Sequence, residues 1–168
     1  RTPLNLQGQI IPLVNKFKYL GLTLDRRLNF NDHVADLKQR CSRRINILKC
    51  IAGREWGADR RTLLHLYTTL IRPILDYNAF LLGNISQTLS NKIETIQNNA
   101  LRIAIGALRT TPTRNLNIET NIPPLARRRE YQLLRFFVRS ASRPDTNSFS
   151  IMTHHIPDVL TFWRYRYP

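Results

Sequence analysis

Arg128, Arg135 and Arg139 stand seven and then four residues apart. On a helix turning about 100° per residue they project within one narrow arc. A guanidinium is always charged and offers forked donors, so such a ridge suits the phosphates of a nucleic-acid backbone. Lys38, Arg40, Arg43 and Arg44 form a second basic group: Arg40 and Arg43 lie opposite an apolar stripe, with Lys38, Arg44 and Lys49 along its flanks. No constellation for catalysis stands beside them: the sequence has no glycine-rich phosphate loop, no Gly-x-Ser-x-Gly and no His/Cys cluster at zinc spacing. Asp32 and Asp36, four residues apart, could hold a magnesium ion. Two acids in a helix first turn also answer the positive end of the macrodipole, and that reading is preferred. His154 and His155 are adjacent and point in different directions, which suits loop histidines better than a metal pair. Trp56, between Gly53 and Gly57, reads as a core or hinge-packing residue ahead of a base-stacking platform.

The charge balance sharpens the basic reading. Among 168 residues there are 26 Lys+Arg and 11 Asp+Glu, a formal net charge of +15. Residues 26–56 carry a net +5 and residues 121–142 a net +4, so nine of the fifteen excess charges sit in two short stretches. A surplus kept only for solubility is spread and mixed with acids; clustering points to a polyanion such as RNA, an RNA–DNA hybrid or DNA. The chain is 42% hydrophobic, enough for a real core. No apolar run approaches the ~20 residues of a membrane span, and the greasiest stretch, Leu63–Gly83, is broken by Arg72, Pro73 and Asp76. A membrane-surface role is disfavoured because the basic helices turn their apolar faces to a core. Cys41 and Cys50 are too few for a disulfide framework, which suits a reducing nuclear or cytoplasmic setting.

The elements that must position these residues follow from periodicity. Residues 3–24 read as short strands, Asn5–Ile10 with a glycine turn and Val14–Thr23 with rough alternation. Such strands cannot bury themselves, so the chain is expected to begin inside a larger fold. A helix from Asn31, capped by Asn29 or Asn31, aligns Val34, Leu37, Cys41, Ile45, Leu48 and Ala52 and stops at Gly53. Cys41 lies in that stripe as a small buried hydrophobe. Asp59 caps a second, central helix running to about Leu82, with Leu70 and Ile74 recurring on a buried face and Pro73 kinking it near Thr69–Arg72. A third helix is capped by Ser86 or Ser90 and ends at Gly106. A loop over Arg109–Asn121 holds one short helical turn at Leu116–Glu119. Pro123-Pro124 opens a fourth helix, with Leu133, Leu134, Phe137 and Ala141 opposite the arginine ridge. Residues 143–168 read as a linker and an aromatic-basic tail. That tail suits base stacking, an apolar strap on the domain, or the end of a connection to another domain. The fold expected is mainly α: about four helices in a bundle, preceded by a short antiparallel β stub.

Three blocks then become specific. Phe17-Lys18-Tyr19-Leu20-Gly21-Leu22-Thr23-Leu24-Asp25 resembles the end of the palm in reverse transcriptases of non-LTR, LINE-type retrotransposons, where a Lys-Tyr-Leu-Gly strand pair forms the primer-grip region. Leu66–Tyr77 with Gly83, and Ile96–Ala107 continuing into Arg109-Thr110-Thr111-Pro112 and Ile122-Pro123-Pro124-Leu125, follow in the same order. The family pattern usually has Gly or Ala where Asn78 stands and Trp where Leu82 stands. The resemblance implies the end of the palm over 1–28, a helical thumb over 29–142 and a linker region over 143–168. It adds Lys18, Tyr19 and Gly21 to the residues expected near nucleic acid. It places the catalytic aspartates before residue 1, so magnesium is expected only there, with no cofactor in this segment and the remainder of a reverse transcriptase as partner. The alternative is a domesticated, reverse-transcriptase-derived module with a protein partner or a structural role.

Overall fold

The computed structural model of the chain describes residues 4–53, 56–83 and 85–142. The chain divides into two compact units, Arg1–Arg129 and Glu130–Pro168. The tail proposed for 143–168 and the pair His154-His155 lie outside the described residues.

Two antiparallel hairpins come first: β1 (Leu4–Leu6) with β2 (Gln9–Ile11), and β3 (Lys16–Tyr19) with β4 (Leu22–Asp25). Each closes through two residues of positive φ, Gln7-Gly8 and Leu20-Gly21, the pattern of type I′ turns that match strand twist. Only β4 turns a residue inward; Leu22 is buried, whereas β1 and β2 are exposed throughout.

Helix α1 (Asn31–Ile51) starts differently from the expected asparagine cap. Its N-cap is Phe30, in the left-handed region and without a side-chain hydrogen bond. Asn29 Oδ1 still accepts from the N–H of Asn31, the first helical residue, at 3.1 Å, and the Asp25 carboxylate accepts from the backbone N–H groups of Arg27 at 2.9 Å, Asn29 at 3.3 Å and Phe30 at 2.9 Å. Desolvation works to raise the Asp25 pKa, but these backbone hydrogen bonds together bring it below the ordinary value. The stripe Val34, Leu37, Cys41, Ile45 and Leu48 is buried as the spacing predicts, and burial pushes the Cys41 thiol up to about 11.

The central helix is the main departure. It is built as α2 (Arg60–Leu66), a π-helical turn (Tyr67–Ile71), α3 (Arg72–Asp76) and, after Tyr77 and the left-handed Asn78, a 3₁₀ turn (Ala79–Leu82). Asp59 caps α2 as expected, accepting from Arg61 and Thr62. Pro73 has no N–H for the carbonyl four residues back, and its ring crowds that carbonyl. The chain widens instead, and the Arg72 N–H reaches the Tyr67 carbonyl five residues earlier. A π turn inserts one residue into the helical phase. The buried stripe is therefore Leu63, Tyr67, Ile71 and Leu75, and not the Leu70/Ile74 pair, which is only partly buried. Asn78 has φ 59. That is the left-handed region, which asparagine tolerates better than most residues.

Ser86 caps α4 (Gln87–Ile105), which ends at left-handed Gly106, with the Ala107 N–H on the Arg102 carbonyl at 2.9 Å. The core lies between α1, the π turn and the α4 face bearing Leu89, Ile93, Ile96, Ala100 and Leu101. At its centre the Tyr67 hydroxyl donates to Gln97 Oε1 at 2.6 Å, and Gln97 Nε2 donates to the Pro123 carbonyl at 3.0 Å. The short turn expected near Leu116 is a full helix, α5 (Thr113–Thr120), anchored by buried Leu116. Helix α6 (Leu125–Ala141) follows Pro123-Pro124. Its first residues bury Leu125 and Arg129, while in the second unit Leu134 is exposed and Leu133 and Phe137 are half-buried. Trp56, expected in the core or a hinge, is 73% exposed.

Candidate nucleic-acid interface

The hairpin β3–β4 is fastened to α1 by charge. Alternation along a strand places Lys16 and Lys18 on one face of β3, and a four-residue step places Asp32 and Asp36 on one face of α1. Lys16 Nζ lies 2.8 Å from Asp32, and Lys18 Nζ lies 3.8 Å from Asp36, which also meets Arg40 Nε at 3.2 Å. The two aspartates are thus charge partners of lysine and arginine. Beneath them His33 is buried, its Nδ1 accepting from the Thr23 N–H at 3.4 Å and its Nε2 without a partner among the described residues. Burial first, then Arg40 and Lys18, push the His33 pKa below its ordinary value against the pull of Asp36.

The hairpin tip brings Lys18, Tyr19 and Gly21 together. Tyr77 clamps it: the Tyr77 hydroxyl donates to the Leu20 carbonyl at 2.8 Å, with Asn78 Nδ2 on the same oxygen at 3.5 Å. Gly21 has φ 80, and a Cβ there would stand 3.1 Å from the Tyr77 ring. Glycine is required twice over, by backbone conformation and by close approach. Lys18 and Tyr19 remain largely exposed.

On α1, Lys38, Arg43, Arg44 and Lys49 face solvent and make no ion pair among the described residues, whereas Arg40 is tied to Asp36. Arg128 does not stand free in a ridge. Its Nε and Nη2 each donate at 2.6 Å to the two oxygens of Asp76, which Arg72 approaches at 3.8 Å. The hydrogen bonds to Asp76 raise the Arg128 pKa against the opposing effect of burial. The partner is thus Asp76, in α3, where Glu130 was the nearest acid in sequence. Arg135 and Arg139 are exposed on the part of α6 that belongs to the second unit. Arg129, next to Arg128, is buried and donates to Ser90 Oγ at 2.6 Å. The sequence carries a signal for the Asp76 fork, a carboxylate standing alone in an otherwise apolar stretch, but none for which arginine it would take.

Comparison with known proteins agrees with the three blocks. Over 122 residues the chain is 31% identical to a probable RNA-directed DNA polymerase from transposon BS of Drosophila melanogaster, covering 70% of this chain and 14% of that protein. The chain is a LINE-type reverse-transcriptase segment. It is also 26% identical over 121 residues to the RNA-directed DNA polymerase from mobile element jockey of Drosophila melanogaster, covering 72% of this chain and 13% of that protein. For the jockey protein of Drosophila funebris the figures are 24% over 141 residues, 84% and 15%. The reverse-transcriptase segment therefore spans about one seventh of the curated relatives it matches. No family model and no solved structure matches it.

Proposed function

We propose that this segment holds nucleic acid for the polymerase it comes from, without catalysing the reaction itself. In that reading β1–β4 end the palm, the helices from α1 onward form the thumb, and magnesium chemistry belongs to residues outside the chain. Template–primer, as RNA, RNA–DNA hybrid or DNA, is held by charge, and the remainder of the polymerase is the protein partner.

One observation carries the reading: where the acids go. Seven of the eight acids among the described residues already have partners. Asp32, Asp36, Asp76 and Glu119 pair with Lys16, Lys18 and Arg40, Arg72 and Arg128, and Arg60. Asp25 takes the backbone N–H groups of the turn before α1, Asp59 caps α2, and Glu94 accepts from the Ala126 N–H at 2.8 Å. Lys38, Arg43 and Arg44 therefore have no acid partner among the described residues, and an external polyanion would supply one. Phosphate contacts of this kind position a backbone and read no base, so binding is largely independent of sequence.

Binding of the 168-residue chain to an RNA–DNA hybrid across a salt series tests this. Affinity falls steeply with salt, and replacing Lys38, Arg43 and Arg44 by Gln flattens the log–log slope by up to about 2.7, from about 0.9 per phosphate contact on duplex DNA. Gln preserves helix propensity, so circular dichroism stays unchanged. Weak, salt-independent binding by the native chain, or an unchanged slope in the variant, would sink the reading. Primer extension by the isolated chain with magnesium and deoxynucleotides gives no product; activity that survives purification would refute the non-catalytic assignment.

A further inference from the structure

Behind the exposed face of α1 lies a groove of about 670 Å³, walled by the C-terminal halves of α1 and α4 and closed by the loop after Gly106. Its polar lining is one-sided in charge. Lys49 comes from α1, Arg102 from α4 and Arg109 from the loop, and no acid among the described residues lines it. Asn46 and Asn99 add one carboxamide from each wall, and Ile45, Ala52 and Ile103 form an apolar floor. The side chains of Lys49, Arg109, Asn46 and Asn99 make no hydrogen bond or ion pair among the described residues. Arg102 is held in place by its Nη2, which donates to the Thr111 carbonyl at 3.1 Å, while its Nε is buried without an acceptor.

A plainer explanation covers part of this. Lys49 and Arg102 sit in the last turns of their helices, where cations offset the negative end of the macrodipole. It does not cover Arg109, which is outside both helices, nor two carboxamides left unpaired on opposite walls. Carboxamides offer a donor and an acceptor together, the combination that meets base edges. An apolar floor between them accepts the face of a base, and three cations around them accept its phosphates. A duplex keeps its base faces stacked away from such a floor; a single strand can offer them.

We propose that this groove binds a single strand of nucleic acid, with an unpaired base on the floor between Asn46 and Asn99 and its flanking phosphates on Lys49, Arg102 and Arg109. The assignment rests on the nucleic-acid-holding reading above and adds a strand type and a site distinct from Lys38, Arg43 and Arg44.

Fluorescence anisotropy of the 168-residue chain with a labelled oligouridylate of about a dozen nucleotides, and with an RNA–DNA hybrid of equal length, separates the two sites. Replacing Lys49 and Arg109 by Gln flattens the single-strand salt slope by about 1.4, from about 0.7 per contact, and leaves hybrid affinity within twofold. Replacing Asn46 and Asn99 by Ala reduces the preference for the oligouridylate over its abasic counterpart by about two- to tenfold for each neutral hydrogen bond lost. A 4-thiouridine oligonucleotide crosslinks to peptides within 42–52 or 99–109 of the native chain, a readout independent of how any variant folds. Crosslinks confined to other segments, equal losses on single strand and hybrid, or an unchanged abasic ratio would each overturn the proposal. Failure of the parent reading is recognised separately, because there the native chain shows no salt-dependent hybrid binding at all.

Discussion

Truncating Ile71 and Leu70 in turn measures whether the π turn sets the phase of the central helix. In an uninterrupted α-helix from Leu63 the inward positions would be 63, 67, 70 and 74; the extra residue of the π turn moves them to 63, 67, 71 and 75. Ile71 is fully buried, between the core faces of α1 and α4, while Leu70 is only partly buried against the cluster. Ile71→Ala removes apolar carbons worth about 0.8 kcal/mol per buried methylene and leaves a cavity, so the expected loss is about 2–5 kcal/mol. Leu70→Ala removes a similar volume from a site water already reaches, and the expected loss is about half as large or less. Urea titration by circular dichroism reads both, with the slope against denaturant held constant as the check that the unfolded state is unchanged. Against a domain stability of about 5–15 kcal/mol the Ile71 variant shows a large shift of midpoint. A Leu70→Ala loss equal to or above that of Ile71→Ala would mean that the helix keeps α phase through Pro73, and the inserted residue would have to be abandoned.

Three further outcomes follow from named contacts. Arg128→Ala leaves the Asp76 carboxylate without its fork and lowers stability by about 1–3 kcal/mol, the range for hydrogen bonds to charged groups; Arg128→Lys recovers only part, because lysine cannot make both bonds. Loss of hybrid affinity at unchanged stability would instead make Arg128 a phosphate contact. Gly21→Ala forces a side chain into φ 80 against the Tyr77 ring, and chemical denaturation shows a loss of about 1–2 kcal/mol; a neutral result would mean the turn is not held by Tyr77. His33 has its folded pKa below the unfolded value of 6.5, so the unfolded state binds the proton more readily. The stability it supports is complete above about pH 6.5 and falls as pH drops below that, by at most about 1.4 kcal/mol per pH unit; His33→Gln, which keeps an acceptor for the Thr23 N–H, removes that slope, and a slope unchanged in the variant would assign it to other groups.

What was legible in the sequence was whatever a local period or a local cap decides. The stripe Val34–Leu48, the starts at Asp59 and at Ser86 (one of the two serines expected) and the stop at Gly106 all answer to residues within one turn of chain, and each is where the spacing put it. What was not legible depends on a partner far along the chain. Lys16 and Lys18 of β3 meet Asp32 and Asp36 of α1, and Asp76 meets Arg128 across 52 residues. Pro73 announced a kink, but whether it would be a bend or a π turn depended on whether Ile71 and Leu75 or Leu70 and Ile74 fit the core. The same division runs through the candidate interface. Counting charge located the basic stretches, yet a count treats Arg40, Arg43, Arg128 and Arg129 alike. The structure separates them by what the acids have already taken: Arg128 ties α6 to α3, Arg40 pairs with Asp36 one turn back on α1, Arg129 is buried on Ser90, and Arg43 is left to solvent. Among the described residues Asp32, Asp36, Asp76, Glu94 and Glu119 each tie one element to another, and under the proposed function the cations left without such partners are the ones an external polyanion would meet.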